Sequence, residues 1–136
     1  MSHDSASGPV FGLTRIPDAP IPGRHAVLLT ARVDIDLSTR AAARDQLLDV
    51  ASGPAEAVLM DLTGVFVGAV AVRDLVELAE RTTHLGKPLV VIGAPPWLPV
   101  LAARLDMPPL RFTASAEAAV SELRAVAAAA DGGVPA

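Results

Sequence analysis

Three aspartates, Asp34, Asp36 and Asp61, follow apolar runs that read as strands, and carboxylates gathered at strand ends could hold Mg²⁺. The same three residues also suffice to end strands and cap a helix, and no phosphate-cradling sequence accompanies them. The chain contains neither GxxxxGKS/T nor GxGxxG, so nothing marks a nucleotide-hydrolysing site. His3, His25 and His84 lie far apart and lack metal-ligand spacing. His84 falls in the last turn of a predicted helix, where a cation suits the dipole. There is no GxSxG, and Ser38, Ser115 and Ser121 have sufficient roles as caps or surface residues. The expectation is a protein with no catalytic residue, no metal and no cofactor. Trp97 follows two prolines in a strand-end loop. It is either an exposed partner contact, as tryptophan often is at binding hot spots, or a ring packed over the sheet edge.

Composition narrows the class further. The chain has 136 residues and no cysteine, which removes disulfides, thiolate metal sites and cysteine nucleophiles together. Phe11, Phe66, Phe112 and Trp97 are its only aromatics, too few for a base-stacking nucleic-acid module. The formal charge of -4 argues against non-specific phosphate binding. With 51% hydrophobic residues the chain can bury a core. It has no apolar run of transmembrane length, and its start, MSHDSASGPV, lacks the charged and apolar regions of a signal peptide. No nucleic acid, no membrane insertion and a cytoplasmic location are therefore expected.

The elements that must position these residues alternate in type. Val10–Ile16 is a weak strand, and residues 17–23, with three prolines, read as a loop. Val27–Val33 is a stronger strand. Residues 36–39 offer capping chemistry for a helix from about residue 39 to Ala51, with Ala43, Leu47, Val50 and Ala51 at helical spacing. Ala57–Leu62 suits a strand buried on both faces. Val72, Leu75, Val76 and Ala79 form the stripe of the next helix, which Gly86 and Pro88 stop. Leu89–Ile92 is a strand, and a helix carries Leu98, Leu101, Ala102 and Leu105. Leu110–Thr113 is a last strand, and Ser115 caps a final helix. The order ββαβαβαβα predicts a single α/β domain, with a mixed, mostly parallel sheet of about five strands and the first strand antiparallel at an edge. Residues 1–9 and 127–136 are assigned to tails around a domain over 10–126, although the second stretch could extend the last helix by a turn before Gly132.

These pieces resemble a STAS domain, the fold of bacterial anti-sigma factor antagonists. The family's second strand ends in G-x-L/V-D before a helix, and here it reads Ala31-Arg32-Val33-Asp34, with alanine for the glycine. The family's D-L-S/T-x-V is matched by Asp61-Leu62-Thr63-Gly64-Val65. Its G-R/K-x-L/V strand start is matched by Gly86-Lys87-Pro88-Leu89, and a G-x-x-P turn by Gly93-Ala94-Pro95-Pro96. A small polar cap and a glutamate open the last helix as Ser115-Ala116-Glu117. The resemblance covers residues 10–125.

One departure matters. The family's D-S-S/A/T-G motif, whose serine is phosphorylated by a partner kinase that is also the anti-sigma factor, is replaced by Gly68-Ala69-Val70-Ala71. Ala69 stands at the serine position if a one-residue gap precedes Phe66, and Val70 does otherwise. Neither accepts phosphate, and Gly68 can still serve as a helix cap. Ser38, Thr39 or Thr63 could be a substitute phosphosite. The surface there also becomes more apolar, with Val67, Val70 and Val72 close together. The resemblance implies a non-enzymatic, partner-switching regulator of transcription that binds an anti-sigma factor of kinase-like fold. Asp34, Ser38, Thr39, Gly68, Ala69, Val70, Arg73 and Trp97 would form the partner-binding face. Other roles within the same fold are an adaptor in a transporter or stress-signalling complex, or a sensor of a small ligand. A homodimer is a further option.

Overall fold

The computed structural model describes residues 9–106 and 110–132. Five strands form one sheet in the order β1-β2-β3-β4-β5. They span Phe11–Pro17 (β1), His25–Ala31 (β2), Ala57–Asp61 (β3), Leu89–Ile92 (β4) and Arg111–Thr113 (β5). β1 pairs antiparallel with β2, and every other pair is parallel. This is the mixed sheet expected, with β1 at the edge. Four helices cover it: α1 (Arg40–Ala51), α2 (Val72–His84), α3 (Trp97–Arg104) and α4 (Ala116–Gly132). A short 3₁₀ turn, Ala69–Ala71, leads into α2.

Side-chain alternation divides the core into two layers. Leu29, Val58, Met60 and Val91 face one way and meet Ala43 and Leu47 of α1, Leu75, Leu78 and Ala79 of α2, and Leu98 of α3. Ala26, Leu59, Val90 and Ile92 face the other way and meet Ala119 and Leu123 of α4. β3 and β4 are therefore apolar on both faces, as strands at the centre of a covered sheet must be.

Boundaries differ from the sequence reading in instructive places. β2 is two residues out of step with the expected Val27–Val33. Its pairing with β3 stops at Thr30 and Asp61 and that with β1 at Ala31 and Phe11; Arg32 N still donates to Val10 O at 2.8 Å, and Val33 beyond it is exposed. Ser38 is expected to act as a cap, but the acceptor is Asp36. Its Oδ1 takes the N–H groups of Ser38 and Thr39 at 2.9 and 3.2 Å and the Ser38 hydroxyl at 2.7 Å. Ser115 does cap α4, accepting the Ala118 N–H at 3.1 Å. α4 runs to Gly132, so residues 127–132 of that expected tail continue the helix, which leaves residues 133–136. Those four, and residues 1–8 of the expected leading tail, lie outside the described residues. No described helix is long and apolar enough to cross a membrane.

α2 ends in a double-bonded turn. Gly86, in the left-handed region at φ 71°, donates to Thr83 O, and Lys87 N donates to Thr82 O. The same Lys87 sends its ammonium to the carbonyls of Ala51 and Gly53 at 2.7 and 2.6 Å. One residue thus completes the end of α2 and satisfies carbonyls at the end of α1.

Candidate functional site: the pole at the strand ends

The loops leaving β2 and β3 emerge side by side at the carboxyl ends of the strands, where open α/β sheets place their sites. They are tied together by backbone. Ile35 N donates to Phe66 O and Gly68 N to Ile35 O, both at 2.8 Å, making a parallel bridge between Ile35 and Val67. The Asp34 carboxylate accepts the Phe66 N–H at 2.8 Å. Thr39 stitches the same loop to itself: its hydroxyl donates to Asp34 O at 2.7 Å and accepts the Asp36 N–H. At the neighbouring strand end, Gly93 has φ 63° and lies against Thr63, so a β-carbon there would collide with it. Glycine is needed on both counts.

Behind the loops, two arginines of α1 hold two carboxylates of α2. Arg40 pairs with Asp74 through two contacts of 2.8 and 3.1 Å, and Arg44 pairs with Glu77 through two of 2.8 Å. Asp74 is buried, so Arg40 supplies the charge compensation that water cannot. The Arg44 hydrogen bonds hold the Glu77 carboxyl below its usual range, and Glu77 in turn raises Arg44. Asp74 likewise raises Arg40, through its hydrogen bonds first. The Ser38 hydroxyl, followed by backbone N–H groups, lowers Asp36.

The three aspartates do not form a metal cage. Asp34 serves Phe66, Asp36 serves residues 38 and 39, and Asp61 accepts the Thr63 N–H at 2.9 Å. Among the described residues no three acidic or histidine side chains gather around one point.

Most of the predicted face does come together. Asp34, Gly68, Ala69, Val70 and Arg73 share the zipped loops and the start of α2. Ser38 and Thr39 sit on the adjoining turn. Ala69 is exposed, opening the 3₁₀ turn behind Gly68, which has extended backbone and no side-chain cap. Val70 is 43% exposed, whereas Val67 and Val72 are buried. The expected cluster of three surface valines is thus a single valine, and its apolar neighbour is Phe66, 61% exposed. A β-carbon at Gly68 would touch both the Phe66 ring and Val70. Trp97, at the start of α3, stands between its two expected roles. It is 37% exposed, and it also lines a largely apolar cavity of about 30 Å³ with Ile35, Met60, Val67, Ala71 and Val72.

Sequence reasoning missed Phe66, Leu37 and the arginine–carboxylate ladder. Leu37, on the turn before α1, is 75% exposed. The ladder had a signal: Arg40 and Arg44 are four apart on one helix, and Asp74 and Glu77 three apart on the next, each pair on one helical face.

No family model matches this sequence, and no curated protein does. Solved structures do match. A candidate anti-sigma factor antagonist from Thermotoga maritima superposes with a TM-score of 0.68 at 12% identity, over 84% of this chain and 94% of that one. An anti-sigma factor antagonist from Mycobacterium paratuberculosis gives 0.58 at 21% identity, over 84% and 94%. A chain from the stressosome, described as a signal integration and transduction hub, gives 0.59 at 15% identity, over 85% and 98%. With its strand order, its edge strand and its helices on both faces, the chain has the fold of the anti-sigma factor antagonists, the STAS fold that its motifs resemble.

Proposed function

We propose that this chain is a non-enzymatic STAS-type regulator that docks a partner protein through the pole formed by residues 34–39, 66–73 and Trp97. The observation that carries this reading is the pairing of exposed Phe66 and Val70 on loops held rigid by backbone bonds. A preorganised apolar contact binds without a large ordering cost. By resemblance the partner is an anti-sigma factor of kinase-like fold, bound in the cytoplasm, and sequestering it would free a sigma factor. Residues 64–81 contain no serine, threonine or tyrosine, so the docking is not relieved by phosphorylation at the usual position. Thr39 is a poor substitute, because its hydroxyl is spent inside the turn.

The test uses purified anti-sigma factors of the source organism. Val70→Asp should weaken the complex while leaving the melting temperature near that of the wild type. Retained binding with Val70→Asp, or loss of the complex on phosphorylation of any residue of this chain by the partner and ATP, sinks the reading. An adaptor role in a stress-signalling assembly is the second reading, favoured by the stressosome match. It is distinguished by co-assembly into a large particle in place of a binary complex.

A further inference from the structure

The sheet ends in two edge strands. β5 has only three residues, too few to template another strand. β1 has seven, and β2 pairs with one side of it only. The pairing shows which backbone groups of β1 face outward. Arg32 N donates to Val10 O, in the register that sets Phe11 against Ala31. Residues 10, 12, 14 and 16 therefore bond β2, and the N–H and C=O groups of Phe11, Leu13 and Arg15 point away from it. Pro17 has no N–H to offer. Gln46 of α1 answers the first of these residues. Its Oε1 accepts the Phe11 N–H at 2.9 Å, and its Nε2 donates to Phe11 O at 2.7 Å. One side-chain amide thus makes both bonds that a residue of a neighbouring strand would make. The outward backbone groups of Leu13 and Arg15 make no hydrogen bond among the described residues.

We propose that Gln46 closes this edge of the sheet, and that without it β1 pairs antiparallel with β1 of a second copy of the chain. An added strand would have to place its own backbone where the Gln46 amide lies. With the amide in place only Leu13 and Arg15 remain open, between Gln46 at one end and Pro17 at the other, and Arg15 adds a charge to that short window. The second copy follows from self-complementarity. A two-fold axis at Leu13 sets Leu13 against Leu13 and Phe11 against Arg15 of the other copy. Every outward N–H and C=O from Phe11 to Arg15 then has a partner. The Leu13 side chain, 55% exposed in the single chain, meets its counterpart across the axis. This inference does not depend on the docking reading above.

The test is amide hydrogen exchange read by NMR on the full chain, with sedimentation at the same concentrations. In the wild type the Phe11 amide should exchange slowly, and those of Leu13 and Arg15 fast, from dilute to millimolar protein. In dilute Gln46→Ala the Phe11 amide should exchange roughly tenfold faster or more. As that variant is concentrated it should self-associate, and the amides of Phe11, Leu13 and Arg15 should gain protection together. Adding Leu13→Lys, which puts like charges on the axis, should abolish both changes. Gln46→Met keeps the length and helix propensity of glutamine without its amide; it should behave like Gln46→Ala and replaces it if the alanine variant does not fold. The proposal is overturned if the Gln46 variants leave Leu13 and Arg15 exchanging fast at millimolar concentration, whether or not they associate by another surface. It is also overturned if the wild type itself gains protection at Leu13 and Arg15 on concentration, because its edge would then be open with Gln46 in place.

Discussion

The small apolar cavity beneath the proposed docking face makes a prediction whose sign can be worked out. Val72 opens α2, is buried, and lines the void with Ile35, Met60, Val67 and Trp97. Void of this kind costs roughly 24 cal/mol per Å³, so filling about 30 Å³ returns about 0.7 kcal/mol. Burying one more methylene contributes about 0.8 kcal/mol, offset by a few tenths for the longer side chain's rotamers. Val72→Ile should therefore stabilise the fold by about 1 kcal/mol, or about 3 °C in melting temperature for a chain of this length. Val72→Ala enlarges the same void and should cost about 2 kcal/mol after the better helix propensity of alanine is allowed for. The assay is urea unfolding followed by Trp97 fluorescence, comparing midpoints at constant slope. The order Ala, Val, Ile of rising stability is the expected result. If isoleucine is instead less stable than valine by about 1 kcal/mol or more, as overpacking would make it, the void is not available to a side chain and the reasoning is refuted. Partner affinity should stay within about twofold throughout, because Val72 is buried and the proposed face is built by Phe66 and Val70.

Two further outcomes follow from local chemistry. Gly68 has φ -78° and ψ 156°, a conformation open to any residue, and a β-carbon there would meet only ordinary contacts. Gly68→Ser should therefore supply the missing cap to the 3₁₀ turn and stabilise the fold by a few tenths of a kcal/mol; a loss of stability in the same urea assay would contradict the absence of strain there. The carboxyls of Asp36 and Glu77 are held below their ordinary values of 3.8 and 4.5. Lowered folded values mean that the unfolded chain takes up protons first, so their stabilisation is complete above about pH 4.5 and is lost as pH falls through the folded values. Asp36→Asn combined with Glu77→Gln should flatten the decline in urea midpoint between neutral pH and pH 2.5; a parallel decline in the variant would rule these two groups out as its source.

What is legible in the chain follows from which interactions are local. The helix of Val72, Leu75, Val76 and Ala79 announces itself because one face must be apolar, and Gly86 before Pro88 announces its end. The antiparallel edge strand is legible because no helix separates β1 from β2. The end of β2 is not, because Val33 is as apolar as its neighbours, and the strand stops only where its partners do, at Asp61 of β3 and Phe11 of β1. The exposed residues of the 66–72 segment escape sequence reasoning for a related reason. A loop has no periodicity to say which valine points inward. Val67 is turned in by its bridge to Ile35, a partner 32 positions away, and that leaves Phe66 and Val70 outside. Asp36 and Ser38 are equally plausible caps by type, and the choice rests on the turn that brings the N–H groups of residues 38 and 39 to one carboxylate oxygen.

The same contacts limit how such a face can be regulated. Residues 34–36 and 66–68 are joined by backbone bonds, and the helices behind them are clamped by two bidentate ion pairs. A loop so held does not need partner binding to order it, which removes an entropic cost from association. It also leaves little freedom for a switch that works by ordering and disordering the loop. The resemblance implies phosphorylation at the start of α2 in related domains, and the side chains of residues 64–71 here offer no acceptor for it. Release would then have to come from the partner's side or from competition for the apolar contact of Phe66 and Val70. Competition has a direct signature: with the partner bound, a peptide selected on the free chain for a bulky apolar side chain should displace it, and the same peptide with that side chain replaced by alanine should not. Displacement by both versions would mean that the apolar contact of Phe66 and Val70 does not hold the complex.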